Sequence, residues 1–435
     1  MGKKKFRPPK GFRDFPPDIM LLRKEVLSRI ERVFQRYGFD PIETPVLEYW
    51  EVMAGKYGEE AENKLMWRFK DPWSDRWYAL RYDLTVPLAR YLATHSETPL
   101  PFKRYHIGPV WRHEDPQRGR YREFYQCDVD IVGSPYPEAD AEIINVIDSV
   151  MKEFNFSNYV IRLSDRRILK AILEIELGLK DSIPIYRAID KLDKIGLNGV
   201  KGLLLKSGLS PDDVGKIIDI ISIEGSNEEV LNTIESKYGS SKLVKESLTH
   251  LRGILEFVED ESHIKIDLSL VRGLDYYTGP IHETVVSKPK IGSLSGGGRY
   301  DDLLEMFLGK KVPATGGSIG VERLIDAGIE LGVFKLSKKT ITQVYVVVMN
   351  EECMRYALDV VKALRNAGIN TSFDVTRSKE EKQRKYAKKL NIPILIFIGD
   401  KEVSNNTVTI YVRERNERLE VKKESMIKEV KKYIP

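Results

Sequence analysis

The amino-acid sequence predicts an α+β protein with a strand-rich core, a helical block inserted into that core and a separate α/β unit at the C-terminal end. Residues 76–131 and 264–319 carry the apolar alternation, glycines and prolines that are typical of strands and turns. Between them, residues 168–257 have helical patterns with short breaks. After residue 340, apolar runs of strand length alternate with amphipathic helical stripes, which predicts parallel strands joined by helical crossovers.

The chain length agrees with this division. The 435 residues predict two or three domains. We place a core domain at residues 1–167 and 258–332, the helical insertion at residues 168–257, a linker at residues 333–340 and the C-terminal unit at residues 341–435.

Composition excludes several classes of protein. Charged residues make up 31% and hydrophobic residues 42% of the chain, which is typical of a folded globular protein rather than a disordered one. The net charge of +5 is too small to indicate a polyanionic partner without local basic patches. The two cysteines, Cys127 and Cys353, lie far apart, so neither a disulfide framework nor a zinc site is expected. We expect a cytoplasmic protein in a reducing compartment.

The first predicted helix covers Asp18–Tyr37. Its apolar residues recur at steps of three and four, and Gly38 stands where a left-handed cap belongs. A second helix is expected over Leu84–Thr94, with Asp83 as its cap, and a third over Glu138–Phe154.

The segment Tyr121–Ile131 is the most informative strand. A period of two places five side chains on one face, namely Arg122, Phe124, Gln126, Asp128 and Asp130. The opposite face is mostly apolar and suited to a core. The polar face either meets water or binds a ligand, and its mixture of an arginine, a flat ring, an amide and two carboxylates suits an amino acid and a purine.

Arginines stand on both sides of the turn before this strand. Arg112 and Arg122 are expected to converge on phosphates, because a guanidinium matches phosphate oxygens bidentately. The alternative is a solvated charged loop. A second anion site is expected at Arg323, in the first turn of a helix that opens near Val321.

Two further segments combine glycine with polar and aromatic residues. In residues 271–279, Tyr276 and Tyr277 are adjacent, and if this segment is a strand only one of them faces a given pocket. Residues 295–301 contain three consecutive glycines, which permit close approach of another group to the backbone. Neither a phosphate-binding P-loop nor a dinucleotide-binding glycine motif is present in the sequence.

The C-terminal unit contains a basic helical segment. Residues 377–389 hold seven lysines and arginines against two acidic residues, with Tyr386 among them. This pattern is compatible with a nucleic-acid-binding face, and equally with a solvated helix.

Taken in order, these segments resemble the histidyl-tRNA synthetases, which are class II aminoacyl-tRNA synthetases. The resemblance rests on six motifs: Arg81-Tyr82-Asp83-Leu84-Thr85, Arg112-His113-Glu114, residues 119–126 (GRYREFYQ), residues 272–277 (RGLDYY), residues 297–301 (GGRYD) and residues 320–324 (GVERL). It spans nearly the whole chain, and the residues 272–277 are its most specific part.

The resemblance implies a class II catalytic core built on an antiparallel sheet, with an anticodon-binding domain after it. It also implies ATP-dependent attachment of L-histidine to tRNA(His) through a histidyl-adenylate, by a homodimer. Mg²⁺ would be held through the ATP phosphates without an assigned protein ligand, and neither zinc nor an organic cofactor is expected. The helical insertion would clamp the tRNA acceptor stem. The alternative is a non-catalytic relative, such as the synthetase-like regulatory subunit of ATP phosphoribosyltransferase.

The same resemblance implies roles for individual residues. Arg112 and Arg272 would be catalytic, holding the α-phosphate and the carboxylate oxygens. The ATP site would comprise Arg112, Glu114, Arg120, Tyr121, Phe124 and Arg323, with Phe124 stacked on adenine and Arg323 at the γ-phosphate. Histidine would contact Asp83, Leu84, Thr85, Arg112, Gln126, Asp130, Arg272, Tyr276 and Tyr277. Of these, Asp83, Thr85 and Gln126 suit the α-ammonium group, and Asp130 and Tyr277 suit the two imidazole nitrogens.

Overall fold

The fold is that of a computed structural model, which describes residues 6–58, 61–179, 182–271 and 276–434. The chain divides into two compact units. The first contains the described residues up to Asp14 and from Val26 to Phe334, and the second contains residues from Phe15 to Glu25 and from Lys335 onwards.

Eleven strands of the described chain belong to the first unit. They are β1 (Asp40–Pro41), β2 (Leu47–Tyr49), β3 (Arg68–Lys70), β4 (Trp77–Leu80), β5 (Phe102–Trp111), β6 (Glu123–Val132), β7 (Tyr159–Asp165), β8 (Ile264–Ile266), β9 (Pro280–Val286), β10 (Ser295–Arg299) and β11 (Ala314–Gly320).

Eight of these strands form one large sheet in the order β1-β5-β6-β11-β10-β9-β7-β8. All its central pairs are antiparallel, and only the two edge pairs, β1 with β5 and β7 with β8, are parallel. A smaller antiparallel sheet has the order β2-β4-β3. The large sheet confirms the antiparallel class II core.

The α-helices up to Glu330 are α1 (Pro17–Arg36), α2 (Trp50–Met53), α3 (Thr85–Thr94), α4 (Pro137–Glu153), α5 (Arg166–Lys170), α6 (Ile183–Ile189), α7 (Leu192–Lys206), α8 (Pro211–Ile221), α9 (Asn227–Tyr238), α10 (Lys242–Phe257), α11 (Asp301–Leu308) and α12 (Val321–Glu330). Single π-helical turns occupy Ala61–Leu65 and Ala171–Glu176, and a 3₁₀ turn occupies Glu261–His263.

Between β7 and β8 the described chain is helical, from α5 to α10. Helices α8 and α9 begin with side-chain caps: the hydroxyl of Ser210 accepts from the backbone N–H of Asp213, and Ser226 and Glu229 form a capping box. Their apolar faces are buried, as at Val214, Ile217 and Ile234. We retain the boundaries 168–257 for the insertion as a prediction.

The second unit has one five-stranded sheet in the order β13-β12-β14-β15-β16. Its strands are β12 (Val344–Val348), β13 (Thr371–Phe373), β14 (Ile394–Ile398), β15 (Thr407–Val412) and β16 (Glu417–Lys422). Its helices are α13 (Met354–Asn366), α14 (Glu380–Lys389), α15 (Asp400–Asn405) and α16 (Met426–Val430), with a 3₁₀ turn at Lys423–Ser425.

The predicted parallel pairing with crossovers is confirmed for β12 with β13 and with β14. The two last strands pair antiparallel, β14 with β15 and β15 with β16. Helix α13 covers one face of this sheet with the buried side chains of Val360, Val361 and Leu364. No helix of the described residues combines the length and the apolar character that crossing a membrane requires.

Helix α13 offers a matched test of this packing. Leu364 is 0% exposed and Leu358 is 43% exposed on the same helix. Leu364→Ala should lower the free energy of unfolding by about 2–5 kcal/mol, because it removes buried methyl groups and leaves a cavity. Leu358→Ala should change it by less than about 0.5 kcal/mol. Urea unfolding followed by circular dichroism measures both, and equal losses would contradict the packing described.

Candidate active site

A cavity of about 620 Å³ opens on one face of the large sheet. Most of the site residues predicted from the sequence line it, namely Asp83, Thr85, Arg112, Glu114, Arg120, Tyr121, Phe124, Gln126, Asp130, Tyr276, Tyr277 and Arg323. Leu84 is fully buried beside this wall, and its carbonyl oxygen accepts from Arg104 Nη2 at 3.1 Å. Arg272 lies outside the described residues.

Strand β6 forms the centre of the cavity floor. Its alternate residues Gln126, Asp128 and Asp130 all line the cavity and are each less than 9% exposed. Cys127 and Val129 point to the other side, where they are buried in the core. The period of two therefore places an amide and two carboxylates side by side, as the sequence predicted for this face.

Glycines in β11 and β10 keep the floor free of side chains. Gly316 pairs with Asp130 in the sheet register, and a Cβ atom at Gly316 would lie 2.0 Å from Asp130 Oδ1. No other residue fits there without displacing that carboxylate. Gly296 and Gly297 on the neighbouring strand also line the cavity.

Two buried side chains hold the carboxylate of Asp130 at the floor of the cavity. Its Oδ2 lies 2.7 Å from Nη2 of Arg104, which is 0% exposed, and its Oδ1 accepts a hydrogen bond from the Tyr300 hydroxyl. Burial raises the pKa of Asp130, and the charge of Arg104 opposes this rise. The pair places a carboxylate at the base of the cavity with its negative charge largely compensated.

Asp83 is held by three donors at the start of α3. Its Oδ1 accepts from the hydroxyl of Tyr57 at 2.8 Å and from the backbone N–H of Val86 at 3.1 Å. Its Oδ2 accepts from the hydroxyl of Tyr276 at 3.0 Å. Asp83 thus satisfies a backbone N–H of the first turn, as its prediction as a cap required, although the N-cap position itself is Leu84. Tyr57 was missed by the sequence analysis, because it lies in a loop with no periodic pattern.

Tyr276 and Tyr277 both line the cavity, so the expectation that only one of them faces a pocket was wrong. That expectation assumed a strand, whereas Tyr276 lies in a turn and β9 begins only at Pro280. Their rings pack edge to face with centroids 5.1 Å apart. The turn lets two successive phenols point to one side.

The Arg112 guanidinium is held between two aromatic rings. Its Cζ lies 4.4 Å from the ring centroid of Tyr82 and 5.3 Å from that of Phe124, and its Nε donates to the carbonyl oxygen of Tyr82 at 3.0 Å. These contacts fix the plane of the guanidinium at the cavity wall. Glu114 and Arg120, also on this wall, form an ion pair of 2.8 Å.

Arg122 departs from its prediction. It does not line the cavity with Arg112, and its Nε donates to the carbonyl oxygen of Glu114 at 3.0 Å. Strand β6 starts only at Glu123, so the alternation does not extend to this residue. The predicted convergence of Arg112 and Arg122 on phosphates was therefore wrong.

Three side chains of helix α12 hold the first part of β6 and the segment before it. Arg323 donates from Nε to the carbonyl oxygen of Gly119 at 2.7 Å and from Nη1 to that of Ser293 at 3.0 Å. Glu322 accepts from the backbone N–H of Tyr125 at 2.9 Å, and Asp326 accepts from the hydroxyl of Tyr121 at 2.9 Å. One helix thus positions both an arginine and the aromatic wall of the cavity.

Comparison with known proteins agrees with this geometry. The family model described as histidyl-tRNA synthetase matches residues 11–324. The chain belongs to the histidyl-tRNA synthetase family. A second model, described as anticodon binding domain, matches residues 343–433, which confirms the expected C-terminal domain of this family.

Individual members of the histidyl-tRNA synthetase family resemble the chain over almost its whole length. It is 57% identical to the histidine–tRNA ligase of Korarchaeum cryptofilum, over 95% of this chain and 96% of the relative. It is 54% identical to the histidine–tRNA ligase of Aeropyrum pernix, over 99% and 98% of the two chains. The crystal structure of histidyl-tRNA synthetase from Nostoc sp. PCC 7120 superposes with a TM-score of 0.85 at 32% identity, covering 99% of this chain and 100% of that one.

The buried pair of Arg104 and Asp130 can be tested directly. Arg104→Met should lower the free energy of unfolding by about 3–5 kcal/mol, because it leaves a buried carboxylate without its compensating charge. Lys311→Met, which removes an ion pair in which both side chains are more than half exposed, should cost less than about 1 kcal/mol. Chemical denaturation of the two variants measures the difference.

The double variant Arg104→Met/Asp130→Asn should recover part of the stability lost in Arg104→Met, since the carboxylate that lost its partner is then also removed. A double variant less stable than Arg104→Met would show that the ion pair is not the source of the loss.

Proposed function

We propose that this chain attaches L-histidine to the 3′ end of tRNA(His) in two steps. The histidine carboxylate attacks the α-phosphorus of ATP, the bond to the β-phosphate breaks, and pyrophosphate leaves. The terminal ribose hydroxyl of the tRNA then attacks the carbonyl carbon of histidyl-adenylate, and AMP leaves. One observation carries the proposal: Asp83, Gln126, Asp130 and Tyr277 face the same cavity as Arg112.

The ATP end of this cavity is assigned to the side with the arginines. Arg112 is proposed to hold an α-phosphate oxygen and Phe124 to stack on adenine, with Glu114, Arg120 and Tyr121 beside them. Arg323 is proposed at the γ-phosphate, for which it would exchange its contacts with the carbonyl oxygens of Gly119 and Ser293 for contacts with ATP. Guanidinium groups suit this purpose because they bind phosphate oxygens bidentately.

The histidine end is assigned to the acidic and phenolic side. Asp83, Thr85 and Gln126 are proposed to bind the α-ammonium group. Gln126 donates from Nε2 to Ser318 Oγ at 2.5 Å, and its Oε1 has no hydrogen-bond partner among the described residues, so this oxygen is available to accept from an ammonium. Asp130 and Tyr277 are proposed for the imidazole nitrogens. Tyr276 lines the wall beside them, and Leu84 lies fully buried behind it.

Catalysis in this proposal comes from positioning and charge stabilisation, which need no covalent nucleophile. Mg²⁺ would enter with ATP, neutralising charge on the β- and γ-phosphates, and we assign it no protein ligand. Selection rests on buried hydrogen-bond partners. Such sites reject side chains that lack the matching groups by roughly 10⁴–10⁵.

The remaining partners follow from the same assignment. We propose that the C-terminal domain contacts the anticodon, that the helical insertion contacts the acceptor stem, and that the enzyme acts as a cytoplasmic homodimer. The competing function, a regulatory subunit of ATP phosphoribosyltransferase, is disfavoured because the cavity retains Arg112, Gln126, Tyr277 and Arg323 and because an anticodon-binding domain is present. Charging of a tRNA(His) transcript would distinguish the two.

The first step is tested by amino-acid-dependent exchange of pyrophosphate into ATP with all twenty amino acids. Histidine alone should support exchange, because only its side chain presents an imidazole to Asp130 and Tyr277. Exchange with proline or threonine instead would assign the chain another specificity, and no exchange with any amino acid would support the regulatory alternative.

Arg272→Ala should reduce histidine-dependent exchange by several orders of magnitude, because the developing charge on the α-phosphate loses a guanidinium. The thermal unfolding midpoint should stay close to that of the wild type. Activity within a few fold of the wild type would remove Arg272 from the catalytic residues. Arg418→Ala, which alters an arginine of the C-terminal unit, is the matched control and should leave pyrophosphate exchange unchanged.

A further inference from the structure

We propose that Asp128 is a second carboxylate of the histidine site and forms a hydrogen bond with the imidazole ring of the substrate. This inference rests on the proposed function and adds to it a residue that sets specificity. The sequence placed Asp128 on the polar face of β6 without giving it a role in the site.

The position of Asp128 is fixed by the sheet register. It lies between Gln126 and Asp130 on β6, opposite His106 on β5 and Ser318 on β11. It is 3% exposed and lines the cavity. A ligand that spans Gln126 and Asp130 must therefore pass over Asp128.

Protein groups hold the three buried carboxylates of the cavity to different extents. Both oxygens of Asp83 accept from protein donors. Asp130 accepts at Oδ1 from Tyr300, and its Oδ2 lies 2.7 Å from Arg104 Nη2 in an ion pair, although it has no hydrogen-bond partner among the described residues. Asp128 has the Ser318 hydroxyl as a hydrogen-bond partner, but its Oδ1 has none among the described residues. A buried carboxylate oxygen without a donor costs free energy, and a donor on the ligand removes that cost.

The surroundings of Asp128 favour a ligand group that can share a proton with its carboxylate. Burial raises the pKa of Asp128 to about 7, with the charge of Arg104 opposing the rise and that of Asp130 adding to it. An imidazole has an ordinary pKa of about 6.5, so the two groups readily share one proton. Either the ring N–H donates to the carboxylate, or the carboxylic acid donates to the ring nitrogen.

Tyr277, which is proposed to bind the imidazole, lines the same cavity as Asp128. Burial raises the pKa of the Tyr277 phenol, and the largest further contribution comes from the charge of Asp128, ahead of those of Asp83 and Asp130. Tyr277, Asp128 and Asp130 all line this cavity, so both carboxylates face the space beside the phenol. Asp128 also neighbours Asp130 on the same face of β6, and Asp130 and Tyr277 are the residues proposed for the ring nitrogens. We therefore expect the ring, not the α-ammonium, to be the partner of Asp128.

The test compares histidine with β-(2-thienyl)alanine, which has a five-membered ring of similar size and no ring nitrogen. Equilibrium dissociation constants are measured for both amino acids with the wild type and with Asp128→Ala. The dissociation constant of thienylalanine divided by that of histidine measures the preference for histidine. This ratio should fall roughly tenfold to a hundredfold in the variant, which is the usual effect of losing a hydrogen bond to a charged group. The KM for ATP should change by less than about twofold.

Asp148→Asn is the matched control. Asp148 is also a buried carboxylate, but it lies on α4 outside the cavity and is paired with Lys152. Its replacement should leave the ratio unchanged. Asp128→Leu has a similar side-chain shape without a hydrogen-bonding group, so it provides the same measurement if the alanine variant does not fold, and a fall of the ratio is again expected.

Three outcomes would overturn the inference. An unchanged ratio with wild-type affinities would show that Asp128 does not contact the substrate. Equal loss of affinity for both amino acids would place Asp128 at the α-ammonium. A fall in thermal stability and in ATP affinity with an unchanged ratio would make Asp128 structural. Absence of histidine-dependent pyrophosphate exchange in the wild type would instead contradict the proposed function itself.

Discussion

The active-site cavity depends on the alternation of side chains along β6. Cys127, Val129 and Ile131 are buried on one face of this strand, so Gln126, Asp128 and Asp130 must appear on the other. A slip of one residue in the register with β5 and β11 would exchange the two sets. The apolar core therefore orients the polar groups of the site, and the hydrophobic free energy of the fold also fixes the geometry of recognition.

A buried carboxylate is stabilised by hydrogen-bond donors or a nearby positive charge, and the carboxylates of this cavity have different numbers of such partners. Arg104 lies against Asp130, and two tyrosine hydroxyls and a backbone N–H surround Asp83. Such contacts hold the carboxylates in one orientation before a substrate arrives, which reduces the reorganisation needed on binding. Oδ1 of Asp128 has no hydrogen-bond partner among the described residues. The carboxylates of the cavity therefore differ in how many protein groups hold them.

Sequence patterns predicted the faces and the pairing of strands correctly where the backbone is regular. The period of two predicted the shared face of Gln126 and Asp130, and the apolar runs after residue 340 predicted the parallel pairing of β12 with β13 and β14. The order of the motifs, compared with a known family, added the class II architecture. Prediction failed where local geometry departs from a repeat. Tyr276 lies in a turn, Arg122 precedes its strand, and Tyr57 reaches Asp83 from an irregular loop. Contacts of this kind depend on tertiary proximity, which no local pattern encodes.

Because Gly316 has no side chain, it leaves the space that the carboxylate of Asp130 occupies. Because a β-carbon at this position would fall on the carboxylate of Asp130, the two positions behave as one steric unit across neighbouring strands. A longer acid at position 130 has to find its volume in the open cavity, since β11 offers no room to retreat. A side chain at position 316 would therefore require a smaller residue at position 130, whereas position 130 can be varied alone as long as Gly316 is kept.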